Sequence, residues 1–397
     1  MMTEVINRYL SKRSLKQKFK VYGSLSNFTG KFISIVIPVK DEYPSLIYSL
    51  QSLSSSFSLC KNTDKSLHVI CVVNNKLSDD KQIKENNAKC IKMLLGKDSE
   101  YILPELNVTV VDCATKGYEI PENQGVGYAR KLGMDFALSC GATTIACLDA
   151  DTLVSENYCQ KLYEFDSDHR FPFNSPKSIG AVVTDFCHQK GATEEQNNAI
   201  LIYQNYMKEH SRKLKESGTI FYPVALGPTL VCTASAYIAC GGMNLKTAGE
   251  DFYFLQSLIK ISGEPLQMLE CSVYPSARQS DRVPFGTGRT VEELCNYSKE
   301  DTPPLAVTGY PDFVYEKIQK LISLMKNLCY KETSKEELKD QAFNLLPDAA
   351  VFLENEGFFD VWEKLCKNNK IGKPLERAFQ CWFDGLKIIR LIHFLLK

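Results

Sequence analysis

Two aspartates flank a single alanine, Asp149-Ala150-Asp151, at the end of the apolar run TTIACL. On extended backbone, side chains at i and i+2 point the same way. The pair could therefore hold a hard divalent cation such as Mg²⁺ or Mn²⁺, which prefers oxygen ligands. Such a cation would grip a diphosphate and stabilise it as a leaving group. A polar strand end, with one Asp capping the next turn, explains the same residues without chemistry. Glu250-Asp251, after Gly249, opens a helical pattern. Acids there suit the helix macrodipole, yet one of them could also act as a general base toward an acceptor hydroxyl.

Other polar groups stand where apolar runs end. Asp41-Glu42 follow FISIVIPV, which contains Pro38, and Asn74-Asn75 follow LHVICVV. Acids and amides at these places suit the edges of a base or ribose, which offer donors and acceptors together; ordinary loop chemistry is the alternative. Gly125-Val-Gly127-Tyr-Ala-Arg130 departs from the dinucleotide fingerprint, because Arg130 stands in place of the third glycine and no strand immediately precedes it. Its glycines allow close backbone approach, and Arg130 could meet a phosphate or base. Ser276, Arg278, Ser280 and Arg282 alternate ahead of Gly286 and Gly288. A basic, glycine-flanked loop of this kind reads as a lid over an anionic ligand.

The elements that must position these groups follow from hydrophobic periodicity. Buried strands are predicted at 32–39, 67–75, 107–113 and 143–151, with a helix at 125–140 whose Ala129, Leu132, Gly133 and Phe136 face inward. A further strand is predicted at 179–186, a long amphipathic helix at 192–216, a strand-like segment at 227–243, a helix at 250–262 and a last strand at 267–275. Alternating strands and helices imply an α/β fold with a doubly wound, mostly parallel sheet flanked by helices. Ligands of such sheets bind at the carboxyl ends of the strands. Three regions result: a basic leader over 1–30, a catalytic domain over 31–290 and a helical C-terminal appendage over 291–397.

These motifs occur in a set order. SIVIPVKDE, VVNNKLSDD, ENQGVGYARKLGMDFAL, IACLDADT, ASAYIACGGM and AGEDFYF together resemble family 2 glycosyltransferases of the GT-A fold, over roughly residues 32–290. The resemblance implies a GT-A sheet and an inverting, divalent-metal-dependent transfer from a nucleoside-diphosphate sugar to an acceptor hydroxyl. It places Pro38, Asp41 and Glu42 on the first nucleotide-contacting loop, Asn74 (with Asn75 beside it) at the base, and Arg130 in the helix before the D-x-D. Asp149 and Asp151 become the metal ligands, with Ala150 against the donor; the lid reading of the later segment adds Arg278 and Arg282, closing over the diphosphate. Asp251, after Glu250, becomes the catalytic base. Asn74 stands where many members carry an acid; its amide oxygen could still accept from uracil N3–H, so a UDP-linked sugar is expected. GT-A enzymes often add a histidine ligand after the last strand, and none lies between His210 and His393. The alternative function is a non-catalytic sugar-nucleotide or glycan-binding protein that kept the fold.

Composition narrows the partners. The 47 basic and 47 acidic side chains among 397 residues cancel, so no net field favours nucleic acid. Fifteen cysteines without a CxxC pair, several inside apolar runs (Cys71, Cys147, Cys232), read as small hydrophobes in a reducing, cytoplasmic setting. No signal peptide or membrane span is expected. A stripe of Phe379, Trp382, Phe383, Leu386, Ile389 and Leu396 suggests packing against the catalytic domain or peripheral attachment at the inner face of a membrane, and the basic leader allows a similar contact. Expected partners are the nucleotide-sugar donor and a glycan, lipid-linked or small-molecule acceptor.

Overall fold

The computed structural model describes residues 2–23, 25, 30–61, 66–168, 180–278, 286–297 and 302–397. The chain divides into two compact units, Met1–Leu201 with Ala225–Cys295, and Ile202–Val224 with Asn296–Lys397.

The first unit is built on a sheet of nine strands: β1 Lys20–Gly23, β2 Phe32–Val39, β3 Ser66–Asn74, β4 Asn107–Cys113, β5 Ala142–Cys147, β6 Leu153–Val154, β7 Ala181–Phe186, β8 Leu230–Thr233 and β9 Leu266–Tyr274. Their spatial order is β1-β4-β3-β2-β5-β8-β7-β9-β6. β4, β3, β2 and β5 run parallel, as do β7 and β9, whereas β1, β8 and β6 oppose their neighbours. The mixed, mostly parallel α/β architecture expected from the periodicity is therefore the one observed.

Burial explains the strand sequences. All of FISIVIPV in β2 is buried, and so is β3 after Ser66, which requires apolar, β-branched residues on both faces. Proline is tolerated in β2 because of where it falls. Val36 accepts the Leu148 N–H on the β5 side, so Pro38, two residues on, turns its nitrogen to that side. The β5 ladder has ended there, at Val36 and Cys147. The helix Val126–Ser139 lies hard against this sheet. A methyl on Gly133 would stand 2.5 Å from Val36 and 2.7 Å from Val72, so only glycine permits that approach. Ala129 and Leu132 are buried as expected; Phe136 is instead half-buried and meets Phe19 edge-on at 6.2 Å.

Three local expectations are corrected. β5 ends at Cys147, so Asp149 and Asp151 sit in the following turn and not on extended strand. The segment 227–243 holds only the short β8; Thr233 then accepts the Ala236 N–H at 3.1 Å and caps the helix Ala234–Ala239. The span after Gly286 is not an open loop either, since Thr287–Asn296 is helical.

The leader is also more than a solvated segment. It supplies a helix, Met2–Arg13, and the edge strand β1. Tyr9 is buried and donates to Asp135 at 3.0 Å, while Lys131 pairs with Asp135 at 2.9 Å and Tyr237 donates to the same carboxylate at 2.8 Å. Arg8, Lys12, Arg13, Lys16, Lys18 and Lys20 stay exposed.

The second unit is helical throughout its described secondary structure, with helices at Asp312–Cys329, Lys335–Leu345, Pro347–Asn355, Phe358–Asn368, Lys373–Trp382 and Gly385–Leu395 among others. Half of the aromatic stripe closes this unit's own core. Phe379 and Phe383 are buried, and Phe358 packs against Phe379 at 5.6 Å and Trp382 at 4.2 Å, while Leu386 and Leu396 remain exposed. Among the described residues no helix is long and apolar enough to cross a membrane. No disulfide joins the described cysteines, and Cys71, Cys147 and Cys232 are buried.

Candidate active site

A cavity of about 450 Å³ opens in the first unit beside the carboxyl ends of β2, β3 and β5. That volume is in the usual range for a small-molecule site. β2 delivers Pro38, Asp41 and Glu42 to its wall, β3 delivers Asn74, and the turn after β5 delivers Asp149, Ala150 and Asp151. Arg130 arrives from the helix Val126–Ser139, and Arg278 from the segment after β9. Groups scattered over 240 residues of sequence are thus brought to one place, because every parallel strand ends on the same edge of the sheet.

Two arginines organise the charges. Arg130 is almost fully buried and donates one guanidinium nitrogen to Asp149 and the other to Glu250. It therefore joins the turn after β5 to the start of the helix Glu250–Ser262. Burial disfavours its charge, but Asp149 and Glu250 outweigh that and hold its pKa above the ordinary arginine value. Arg278 plays the same part on the other aspartate. It donates to Glu42 and, at 3.0 Å, to Asp151. Burial raises the Asp151 carboxyl to about 6 in spite of Arg278, with Glu42 and Asp149 pushing the same way.

Asp251 is the most perturbed acid near the cavity. Burial raises its pKa to about 7; the neighbouring Glu250 and Asp149 add to the rise, while Arg130 and the Phe252 N–H oppose it. Geometrically it stands one residue from Arg130's partner Glu250, just off the cavity wall, which does not include it. Glu250 itself is buried and committed to Arg130. Asn75 also lies off the wall, donating to the Lys76 carbonyl at 3.2 Å. Asn74 spends its amide hydrogens on the carbonyls of Val39 and Val72, at 3.0 and 3.1 Å, so its carbonyl is the group it can offer inward. Arg282 lies outside the described residues.

Other wall residues were not among the candidates read from the sequence. Ile83 and Ile120 supply apolar surface, Lys40 and Lys76 positive charge, and Gln124, Thr247 and Thr287 neutral polar groups. Lys40 pairs with Asp79 at 2.8 Å. Gly125 and Gly127 do allow a close approach, but the chain makes it to itself: a methyl on Gly127 would lie 2.9 Å from the Lys246 carbonyl and 3.0 Å from Glu250. That contact seats the 244–250 loop, and with it the acids, against the Arg130 helix.

As a cation site, Asp149 and Asp151 offer hard oxygen donors, one oxygen of each already facing a guanidinium. No group of three or more His, Cys, Asp or Glu suited to a metal occurs among the described residues. The donor set fits a hard divalent ion only with phosphate and water completing its shell.

No protein family and no curated protein matches the chain. Among solved structures, it is similar to S. aureus TarS 1–349 in complex with UDP-GlcNAc at a TM-score of 0.41 and 13% identity, over 73% of this chain and 70% of that one. The UDP complex of TarS 1–349 gives a TM-score of 0.40 and 12% identity over 81% and 82%, and a mycobacterial protein 0.34 and 14% over 81% and 78%. The match to TarS 1–349 alone spans 60% of that chain, and the match to longer TarS spans 47%. Likeness at this level says nothing of chemistry.

Proposed function

We propose that the chain is an inverting glycosyltransferase of the GT-A type that moves a sugar from a nucleoside-diphosphate donor, UDP-linked, to an acceptor hydroxyl. The observation that carries this reading is one cavity lined by Asp41, Asn74, Asp149, Asp151 and Arg278, with Asp251 raised to about 7 beside it. The Asn74 carbonyl and the Asp41 loop meet the nucleoside, and Arg278 meets the diphosphate. Asp251 takes the acceptor proton as that oxygen attacks the anomeric carbon from the face opposite the leaving group. A base with a pKa near the working pH combines a useful deprotonated fraction with good driving force.

Asp149 and Asp151 would hold Mn²⁺ or Mg²⁺, which when bound neutralises charge on the departing diphosphate. Arg130 keeps Asp149 oriented and balances the acids around it.

A single observation favours the alternative, a non-catalytic sugar-nucleotide binder: Asp251 is off the cavity wall. A thermal-shift screen of nucleotide sugars with and without Mn²⁺ identifies the donor, since a ligand of the folded state raises Tm by mass action. Donor hydrolysis or transfer then separates enzyme from binder. A donor that stabilises the fold yet is never cleaved, with any acceptor or with water, leaves only the binder.

A further inference from the structure

Asp41 has a φ of +60°, the only described non-glycine residue in the left-handed region. An L-residue adopts that conformation at a cost, and it persists where surrounding structure holds it. Two consecutive asparagines on the helix Lys81–Leu94 do the holding. Asn87 accepts the Asp41 N–H at 2.9 Å, and Asn86 donates to the Asp41 carboxylate at 2.6 Å.

Asn87 also reaches the other loop. Its amide nitrogen donates to the Asn74 main-chain carbonyl at 2.9 Å, leaving the Asn74 side-chain carbonyl to the cavity, and to the Asn75 side-chain oxygen at 3.1 Å. Asn87 is fully buried, and its carbonyl and both amide hydrogens are used. One primary amide thus spans the ends of β2 and β3, the two strands that deliver Asp41 and Asn74 to the cavity. The Asn74 bond to the Val39 carbonyl ties the same ends a second time.

We propose that Asn86 and Asn87 are positioning residues for nucleotide binding, which clasp the Asp41 and Asn74 loops into one preformed surface. Neither lines the cavity, so their effect passes through the loops. The binding half of this proposal rests on the nucleotide-sugar reading; the clasp itself does not.

The test uses the full chain with UDP as probe, and amide hydrogen exchange on the ligand-free protein. In Asn87→Ala, exchange over 40–42 and 74–76 accelerates together, about tenfold or more for the loss of bonds of this kind. The Kd for UDP rises by a similar factor, while kcat at saturating donor stays near wild type. In Asn86→Ala, a change at a half-buried surface position, only the Asp41 side loosens and the effect on UDP is smaller. If Asn87→Ala lowers Tm and kcat but leaves UDP affinity and the relative exchange of the two loops unchanged, Asn87 is an ordinary core residue and the proposal is overturned. Should Asn87→Ala not fold, Asn86→Ala decides: unchanged exchange at Asp41 and unchanged UDP affinity sink the clasp. A wild-type chain that binds no UDP removes the functional reading, and the exchange measurement still settles whether the two loops move as one.

Discussion

Gly227 leaves no room for a side chain beside Arg130: a methyl group there would overlap the guanidinium Nη2 and stand 2.5 Å from its Cζ. The guanidinium that joins Asp149 to Glu250 therefore lies against bare backbone. Gly227 has no left-handed φ to protect, so alanine there acts only by volume. Gly227→Ala should push Arg130 off its partners, lower stability by about 1–3 kcal/mol and reduce transfer more than tenfold. Denaturant melts and steady-state assays check both. A fully active variant would mean that the Arg130 bridge is not needed.

Arg130 itself can be removed with its charge or without it. Arg130→Met leaves Asp149 and Glu250 without their buried counter-charge, and losing one side of such a network costs about 3–5 kcal/mol. Arg130→Lys keeps the charge but has a single ammonium in place of a planar fork, and cannot span both acids in the same geometry. The expected order of stability is wild type, then Lys, then Met. Equal melting of the Lys and Met variants would show that charge contributes nothing.

The elevated Asp251 fixes the direction of two pH effects. As a general base it works deprotonated, so kcat should fall as pH drops below about 7. For stability the sign reverses. A folded-state pKa above the unfolded value means that the folded state binds the extra proton between them, so this group makes the protein less stable as pH rises from about 4 to 7. Asp251→Asn should abolish transfer while UDP binding survives, and at pH 8 its Tm should equal or exceed that of wild type. Retained turnover would remove Asp251 from the mechanism.

Arg278 and a divalent cation would draw on the same Asp151 carboxylate. Arg278→Ala should therefore tighten Mn²⁺ binding in the absence of nucleotide and weaken UDP binding in its presence. Titration calorimetry measures both. Weaker Mn²⁺ binding in the variant would show that the two cations do not compete.

The leader's hold on the first unit depends on Tyr9. Burial raises the Asp135 carboxyl, and Lys131, Tyr237 and Tyr9 share it. Tyr9→Phe should cost about 1.5–3 kcal/mol, the loss of a hydrogen bond to a buried charged group, and deletion of residues 2–13 more. Chemical denaturation reads the difference. No change on deletion would mean that the helix is not docked.

How far the sequence determines this protein depends on the range of the interaction. β2, β3, β4 and the helix Val126–Ser139 were legible because burial on both faces of a sheet, or one face of a helix, writes its period into neighbouring residues. Asp149, Asp151, Asp251 and Arg278 were legible as candidates because strand ends and helix starts place them where parallel sheets bind ligands. The short β6 and the edge strand β1 were not, since two to four residues carry no readable period. β5 was read four residues too far, to 151 instead of Cys147, because Leu148 continues the apolar run, whereas the ladder stops with its partners on β2 and β8. Tertiary structure alone decided who meets whom: Arg130 between Asp149 and Glu250, Arg278 between Glu42 and Asp151, and Asn87 under both loops. Those pairings join residues up to 236 positions apart. An arginine or asparagine looks the same in sequence whether it faces water or a buried carboxylate, and only the closing of the sheet makes the difference.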